Sequence, residues 1–179
     1  MRKFISEIVA DTVKLICRVN APYSIKEMTE KRCEDIIKAA STGDIILIRT
    51  KGEFTTALQP DYWTHSMIFL GTNLVVEATT KDVKLTNAMY ALARTDDAIL
   101  LRPKFKFDKV DMTKYALSRV NAHYDFSFDE SDEKFYCHEL TTKVFMNSSS
   151  ITIPKCKTLL GEKWLPKSFL DSGLFSKII

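Results

Sequence analysis

Apolar residues recur over the first twenty positions at the spacing of one helical face. Phe4, Ile5, Ile8, Val9, Thr12, Leu15, Ile16 and Val19 share a stripe, with Glu7, Asp11, Lys14 and Arg18 mostly outside it. The pattern predicts an amphipathic helix over residues 4–19, broken by Pro22. Such a stripe docks on the core, pairs with a protein partner or lies on a membrane; docking requires nothing beyond the chain itself. Ser24 with Glu27 three positions later reads as a capping box and predicts a second helix over about 25–40. After Gly43 the period changes. Ile45, Ile46, Leu47 and Ile48 form a short run rich in β-branched residues, suited to a buried strand.

Residues 51–63 contain Gly52, Pro60, Tyr62 and Trp63 and read as a long loop, the kind that often borders a site. Two apolar runs follow, Ser66 to Leu70 and Leu74 to Thr79, joined at Gly71-Thr72-Asn73. Glycine and asparagine tolerate positive φ, so the junction is a hairpin signal. Further strands are expected at Val83–Leu85 and Ala98–Arg102, with a helical turn between them from Ala88 to Ala93. Asp108 caps a helix expected to run to about Ala122. Another starts at Cys137, where Leu140, Val144 and Phe145 keep helical spacing and Asn147-Ser148-Ser149-Ser150 ends the run. Pro166 opens and Gly173 closes a last hydrophobic segment, Trp164 to Phe175. The sum is an α+β fold: a small antiparallel sheet or half-barrel flanked by helices.

Composition narrows the function classes. With 45% hydrophobic and 27% charged residues, the 179-residue chain has the make-up of a soluble globular protein with one sizeable core. The net charge of +3 is small and its lysines and arginines are interspersed with acids, so no nucleic-acid footprint is present. Cys17, Cys33, Cys137 and Cys156 are widely spaced, without a Cys-x-x-Cys pair, which disfavours a zinc site and a disulfide scaffold. No cofactor or metal is called for. Glu7, Asp11 and Lys14 interrupt what would be the apolar core of a signal peptide. The location expected is therefore cytoplasmic, or phage- or virion-associated.

The chemistry-bearing stretch is Tyr136-Cys137-His138-Glu139-Leu140. A cysteine at a helix N-terminus is favoured as thiolate, because the unpaired amides and the dipole stabilise negative charge. A nucleophile also needs a base, and the base an orienting partner. His138 is the next residue on the helix, where neighbouring side chains diverge by about 100°, and is a poor base for that thiol. His123 sits near an expected helix end, where the dipole alone accounts for an imidazole. His65 is different. Pairing about a turn near residue 71 sets it opposite Glu77, a lone carboxylate in the run Leu74-Val75-Val76-Glu77-Ala78. The pair reads either as a surface ion pair or as a base with the carboxylate that fixes its tautomer.

In order along the chain stand Gly43-Asp44-Ile45, Trp63-Thr64-His65-Ser66-Met67-Ile68, Val76-Glu77-Ala78, Arg102 and Tyr124-Asp125. Then come Tyr136-Cys137-His138-Glu139-Leu140 and Leu165-Pro166-Lys167-Ser168-Phe169-Leu170. The ordered set resembles the YiiX/YebB-like group of circularly permuted NlpC-type papain-like cysteine peptidases and amidases, over about residues 43–170. The resemblance implies a permuted papain-like fold in which the histidine and its polar partner precede the cysteine. It also implies Cys137 as nucleophile, His65 as base and Glu77 as orienter. The chain departs from the family where Thr64 and Ser66 flank the histidine and where His138, rather than serine, follows the cysteine.

The expectation is then a thiol hydrolase, a peptidase or amidase without a cofactor, cleaving an amide such as one in cell-wall peptides. The Cys137 backbone amide would be one oxyanion donor. Tyr124 and Tyr136 are candidates for a second, each with core packing as its other reading, and Trp63 is a candidate substrate contact. Asp125, Asp129, Glu130, Asp132 and Glu133 read as solvated loop or as an acidic approach for a substrate amine. Three other readings stay open. One is a non-catalytic phage or virion protein on the same scaffold. Another is a lipid acyl-ester hydrolase or acyltransferase, from which Glu77 leans away because the related lipid enzymes carry histidine there. The last is a membrane-surface protein using the N-terminal stripe. Residues 1–42 are read as a helical extension and 43–179 as the catalytic domain.

Overall fold

The apolar runs form strands, and both faces of the sheet they build are covered. The computed structural model describes residues 27–51, 61–158 and 161–179; the stripe at 4–19, Ser24 and residues 52–60 of the long loop lie outside them. The elements in order are α1 (Glu30–Ala39), β1 (Ile45–Arg49), β2 (His65–Gly71), β3 (Leu74–Ala78) and β4 (Val83–Asn87). Then come α2 (Ala88–Leu92), β5 (Asp97–Pro103), α3 (Lys109–Ser118), β6 (His123–Tyr124) and β7 (Lys134–Phe135). The chain continues with α4 (Cys137–Ser148), β8 (Cys156–Thr158), β9 (Gly161–Lys163), α5 (Pro166–Leu170) and β10 (Phe175–Lys177). Six strands pair antiparallel in the order β10-β5-β1-β2-β3-β4.

Successive side chains of a strand point to opposite faces, so a run that is apolar at every position needs two cores. Ile45 and Leu47 enter one, with Ile68, Val76 and Leu101 beneath Met112 of α3 and Leu140, Val144 and Phe145 of α4. Ile46 and Ile48 enter the other, with Met67, Val75 and Leu100 beneath Cys33 and Ile36 of α1 and Leu92 of α2. Burying each such Leu, Ile or Val contributes about 1.5–3 kcal/mol. The first core is sealed by edge-to-face phenylalanines, with Phe145, Phe169 and Phe175 at centroid separations of 5.8 Å along the Phe145–Phe175–Phe169 chain.

Two connections are fixed by sterics and charge. Gly43 has φ of 95°, and a Cβ there would meet the Phe107 ring at 2.3 Å, so no other residue fits without displacing it. Asp44 follows, nearly fully buried, and takes both Nε and Nη2 of Arg102 at 3.0 and 2.7 Å. The same Nη2 reaches the Ala39 carbonyl, so one guanidinium ties the end of α1 to β1 and β5.

Several sequence expectations shift. The helix placed at about 25–40 starts at Glu30, because Thr29 supplies the cap, its hydroxyl accepting from the Arg32 amide. The helix capped by Asp108 stops at Ser118 rather than near Ala122, since Asn121 turns left-handed at φ 72° and its amide bonds the Val83 carbonyl. His123 consequently lies in β6, bridged to Asp82, and not at a helix end. The hairpin turn falls where expected, with Gly71, Thr72 and Asn73 all at positive φ. Its register, however, pairs Ile68 with Val76 and Phe69 with Val75, and shifts between Phe69 and Gly71. Strand β10 carries no period-2 signal in three residues; it gains its place by pairing Phe175 with Pro103 and Lys177 with Leu101.

Candidate active site

Helix α4 begins at Cys137 because Tyr136 is extended (φ −87°, ψ 165°), and the Glu139 carboxylate accepts the Tyr136 amide at 3.3 Å. Burial pushes Glu139 up to about 7 despite Lys143, whose ammonium lies 3.1 Å from it. Cys137 is therefore the first helical residue, 3% exposed, with the unpaired amides of the first turn beside it.

His65 begins β2. Its position is pinned by Thr64, whose amide and hydroxyl both bond the Ile48 carbonyl and whose hydroxyl accepts from the Thr50 amide. The pairing numbers of the hairpin sum to 144 rather than the expected 142, so Glu77 is diagonal to His65 rather than directly across. A shift by two keeps both side chains on one face, and His65 Nε2 lies 3.0 Å from Glu77 Oε2. The two ends of the constellation meet because His65 starts its strand where Cys137 starts its helix, and the imidazole and the sulfur each shift the other's proton affinity. With Nε2 on Glu77, Nδ1 is the nitrogen left for the sulfur.

Sequence reasoning missed what holds Glu77. Thr86 of β4 donates its hydroxyl to Glu77 Oε1, and Arg94, just past α2, lies 3.5 Å from the same oxygen. The register of β4 contained the signal: Val75 pairs with Thr86, so Thr86 shares the face of Glu77. The electrostatics follow. Burial would raise Glu77, yet His65, Thr86 and Arg94 hold its pKa down to about 2. Burial opposes charge on His65, but the Cys137 sulfur and Glu77 raise its pKa to about 10. Burial alone would push the Cys137 thiol up; His138 and His65 reverse this and hold it well below the usual thiol range. These directions favour a thiolate–imidazolium pair backed by a carboxylate.

His138, read as a poor base for its neighbour, is tied to the sheet instead. It is fully buried, with Ser66 Oγ of β2 lying 2.9 Å from its Nδ1. Tyr136 turns its hydroxyl to the Trp164 amide, 3.0 Å away, and its ring to Phe128, so it serves the core. Tyr124 pairs with Phe135 in the parallel β6–β7 ladder, one strand from the segment leading into Cys137. Trp63 stands two residues before His65, half-buried and edge-on to Tyr62. The acidic stretch is not a free approach. Asp125 and Asp129 pair with Lys134, Asp132 with Lys143, and Glu130 with Lys155 and Lys163.

A solved structure titled as the metalloprotein yiiX from Escherichia coli O157:H7 superposes with a TM-score of 0.69. The match is at 20% identity and covers 79% of this chain and 97% of that one. Among the described residues of the present chain, no group of three or more His, Cys, Asp or Glu side chains is arranged to hold a metal ion. Nor is any described helix long and apolar enough to cross a membrane. No curated protein matches the chain. A family model does match, over residues 39–178, and its description is a permuted papain-like amidase enzyme, YaeF/YiiX, C92 family. That span holds the whole sheet, α4 and every residue of the Cys137–His65–Glu77 constellation: the chain belongs to the permuted papain-like amidases.

Proposed function

We propose that this amidase is a thiol hydrolase that cleaves an amide through a Cys137–His65–Glu77 triad and a thioacyl intermediate. The observation that carries the reading is His65 held by Glu77 at 3.0 Å and electrostatically coupled to a buried cysteine that opens a helix. The thiolate attacks the amide carbon, forming a C–S bond and placing negative charge on the carbonyl oxygen. The Cys137 backbone amide faces that oxygen at the helix start, with Tyr124 the candidate second donor; each such donor contributes typically about 3 kcal/mol. The His65 imidazolium then gives its proton to the leaving nitrogen as the C–N bond breaks. Neutral His65 next takes a proton from water, whose oxygen displaces the sulfur, and the thiolate–imidazolium pair is restored. Glu77 keeps one tautomer throughout.

The substrate class proposed is a peptide amide, with cell-wall peptides first to be tried, and the partner is this peptide rather than a nucleic acid. A panel of murein peptides, other peptide amides and acyl esters, each run with Cys137→Ala as control, tests it. Release of new amine by the wild type alone supports the amidase. Release of alcohol from esters alone replaces it with the acyl-ester reading, and no release from either class points to a scaffold kept for binding.

A further inference from the structure

Arg94 stands beside Glu77 without being needed for its hydrogen bonds. Its Nη2 is 3.5 Å from Glu77 Oε1, but that oxygen already accepts the Thr86 hydroxyl, and Oε2 is on His65. Among the described residues the guanidinium makes one hydrogen bond, from Nε to the Tyr90 carbonyl at 3.2 Å. Its carbon lies 4.6 Å over the Tyr90 ring. These two contacts hold the guanidinium in place and spend neither Nη nitrogen. Arg102 differs, since it gives both Nε and Nη2 to Asp44. The Arg94 side chain is 44% exposed against 4% for Glu77, so a cation with unspent donors stands at the surface beside the triad. Lys84 pairs with Glu77 in register and adds a second cation to the same face of the sheet.

The position also has a direction. Cys137, His65, Glu77 and Arg94 act on one another in that order. The His65 proton goes to the leaving nitrogen, so the leaving half of the substrate lies on the imidazole side of the sulfur. An extended peptide advances about 3.3–3.6 Å per residue, so one or two residues pass the imidazole and the carboxylate and bring a chain end to Arg94. A planar fork of donors matches a carboxylate there. We propose that Arg94 is a specificity-determining residue that takes the free C-terminal carboxylate of a short leaving group. The substrate class is then peptides cut one or two residues from their C-terminus. This deepens the thiol-hydrolase reading and rests on it.

The test uses matched peptides that end one or two residues past the cut bond, each as the free acid and as the C-terminal carboxamide. They are run with the full chain, wild type against Arg94→Gln and Arg94→Lys, and with Cys137→Ala as the blank. The contact exists before and during the reaction, so it acts on KM. The wild type should favour the acid by about tenfold or more in kcat/KM, mostly through KM, and Arg94→Gln should bring the ratio close to one. Arg94→Lys should keep part of the preference. Any bracing of Glu77 lost with the guanidinium lowers kcat for acid and carboxamide alike and leaves their ratio alone. A wild type without preference for the acid, a preference that survives Arg94→Gln, or cleavage confined to bonds farther from the C-terminus overturns the proposal and leaves the amidase reading standing. Absence of Cys137-dependent cleavage of any peptide removes that reading, and the proposal with it.

Discussion

Two buried carboxylates, Asp44 and Glu77, each meet a cationic side chain, and they do opposite work. Asp44 takes two prongs of the Arg102 guanidinium, and the same Arg102 nitrogen also bonds the Ala39 carbonyl. Asp44 accepts the Ser41 amide as well. The result is a clip between α1, β1 and β5. Glu77 is just as firmly held, by Thr86 and Arg94, but its main partner is an imidazole with a second nitrogen. A guanidinium ends a network; an imidazole passes it on, here to Cys137. The difference separates a structural ion pair from a working one although burial and distance are alike.

Breaking each pair should separate stability from chemistry. The largest effect expected is from His65→Ala. Loss of the base lowers amide turnover by about 10²–10⁴-fold, read as initial rates on the folded variant, and it also removes the stabilisation that His65 shares with Glu77. Arg102→Ala should change stability alone. It leaves Asp44 buried beside a single amide and costs about 2–3 kcal/mol in urea unfolding, below the usual toll for a fully buried pair because the Arg102 side chain is 39% exposed. Alkylation of Cys137 in the folded variant should be unchanged.

Glu77→Gln comes next and touches both properties. Glu77 falls from an ordinary 4.5 to about 2 in the fold, so its stabilising contribution is complete above 4.5 and lost as pH falls through 2. That depression corresponds to about 3 kcal/mol at neutral pH, shared with His65 and not counted twice. Acid titration of unfolding should show a shallower loss in the variant than in the wild type over this range, because Asp129 and Asp132, also held low, still titrate. The smallest effect belongs to the alkaline side. His65, raised to about 10, keeps its proton through neutrality, so the pair and its stabilisation fade only as pH rises through that value.

The same contrast shows how much was legible from residue order. Glu77 stood out as one charge in an apolar run, and parity alone put it on the face of His65 even though the register was two off. Cys137 at a helix start followed from the 3.6-residue period of Leu140, Val144 and Phe145. Thr86 and Arg94 were not legible, because their link to Glu77 passes through β4 and α2, where five residues each carry little periodicity. The burial of His138 was not legible either. Neighbouring helical residues diverge, but Ser66, arriving from β2, draws the ring inward. The acidic stretch before Cys137 looked solvated because its lysine partners come from four separated positions, Lys134, Lys143, Lys155 and Lys163. Only the fold brings those together.

The central claim is that the buried Cys137 is a thiolate because His65 and Glu77 keep it so. Its direct measurement is competitive iodoacetamide labelling of all four cysteines near pH 6, quantified by peptide mass spectrometry, in wild type and His65→Ala. The account predicts that Cys137 reacts at least about tenfold faster than Cys156, although Cys156 is the more exposed, and that His65→Ala removes this advantage. Equal rates at Cys137 and Cys156 in the wild type, or an advantage that survives His65→Ala intact, would contradict it.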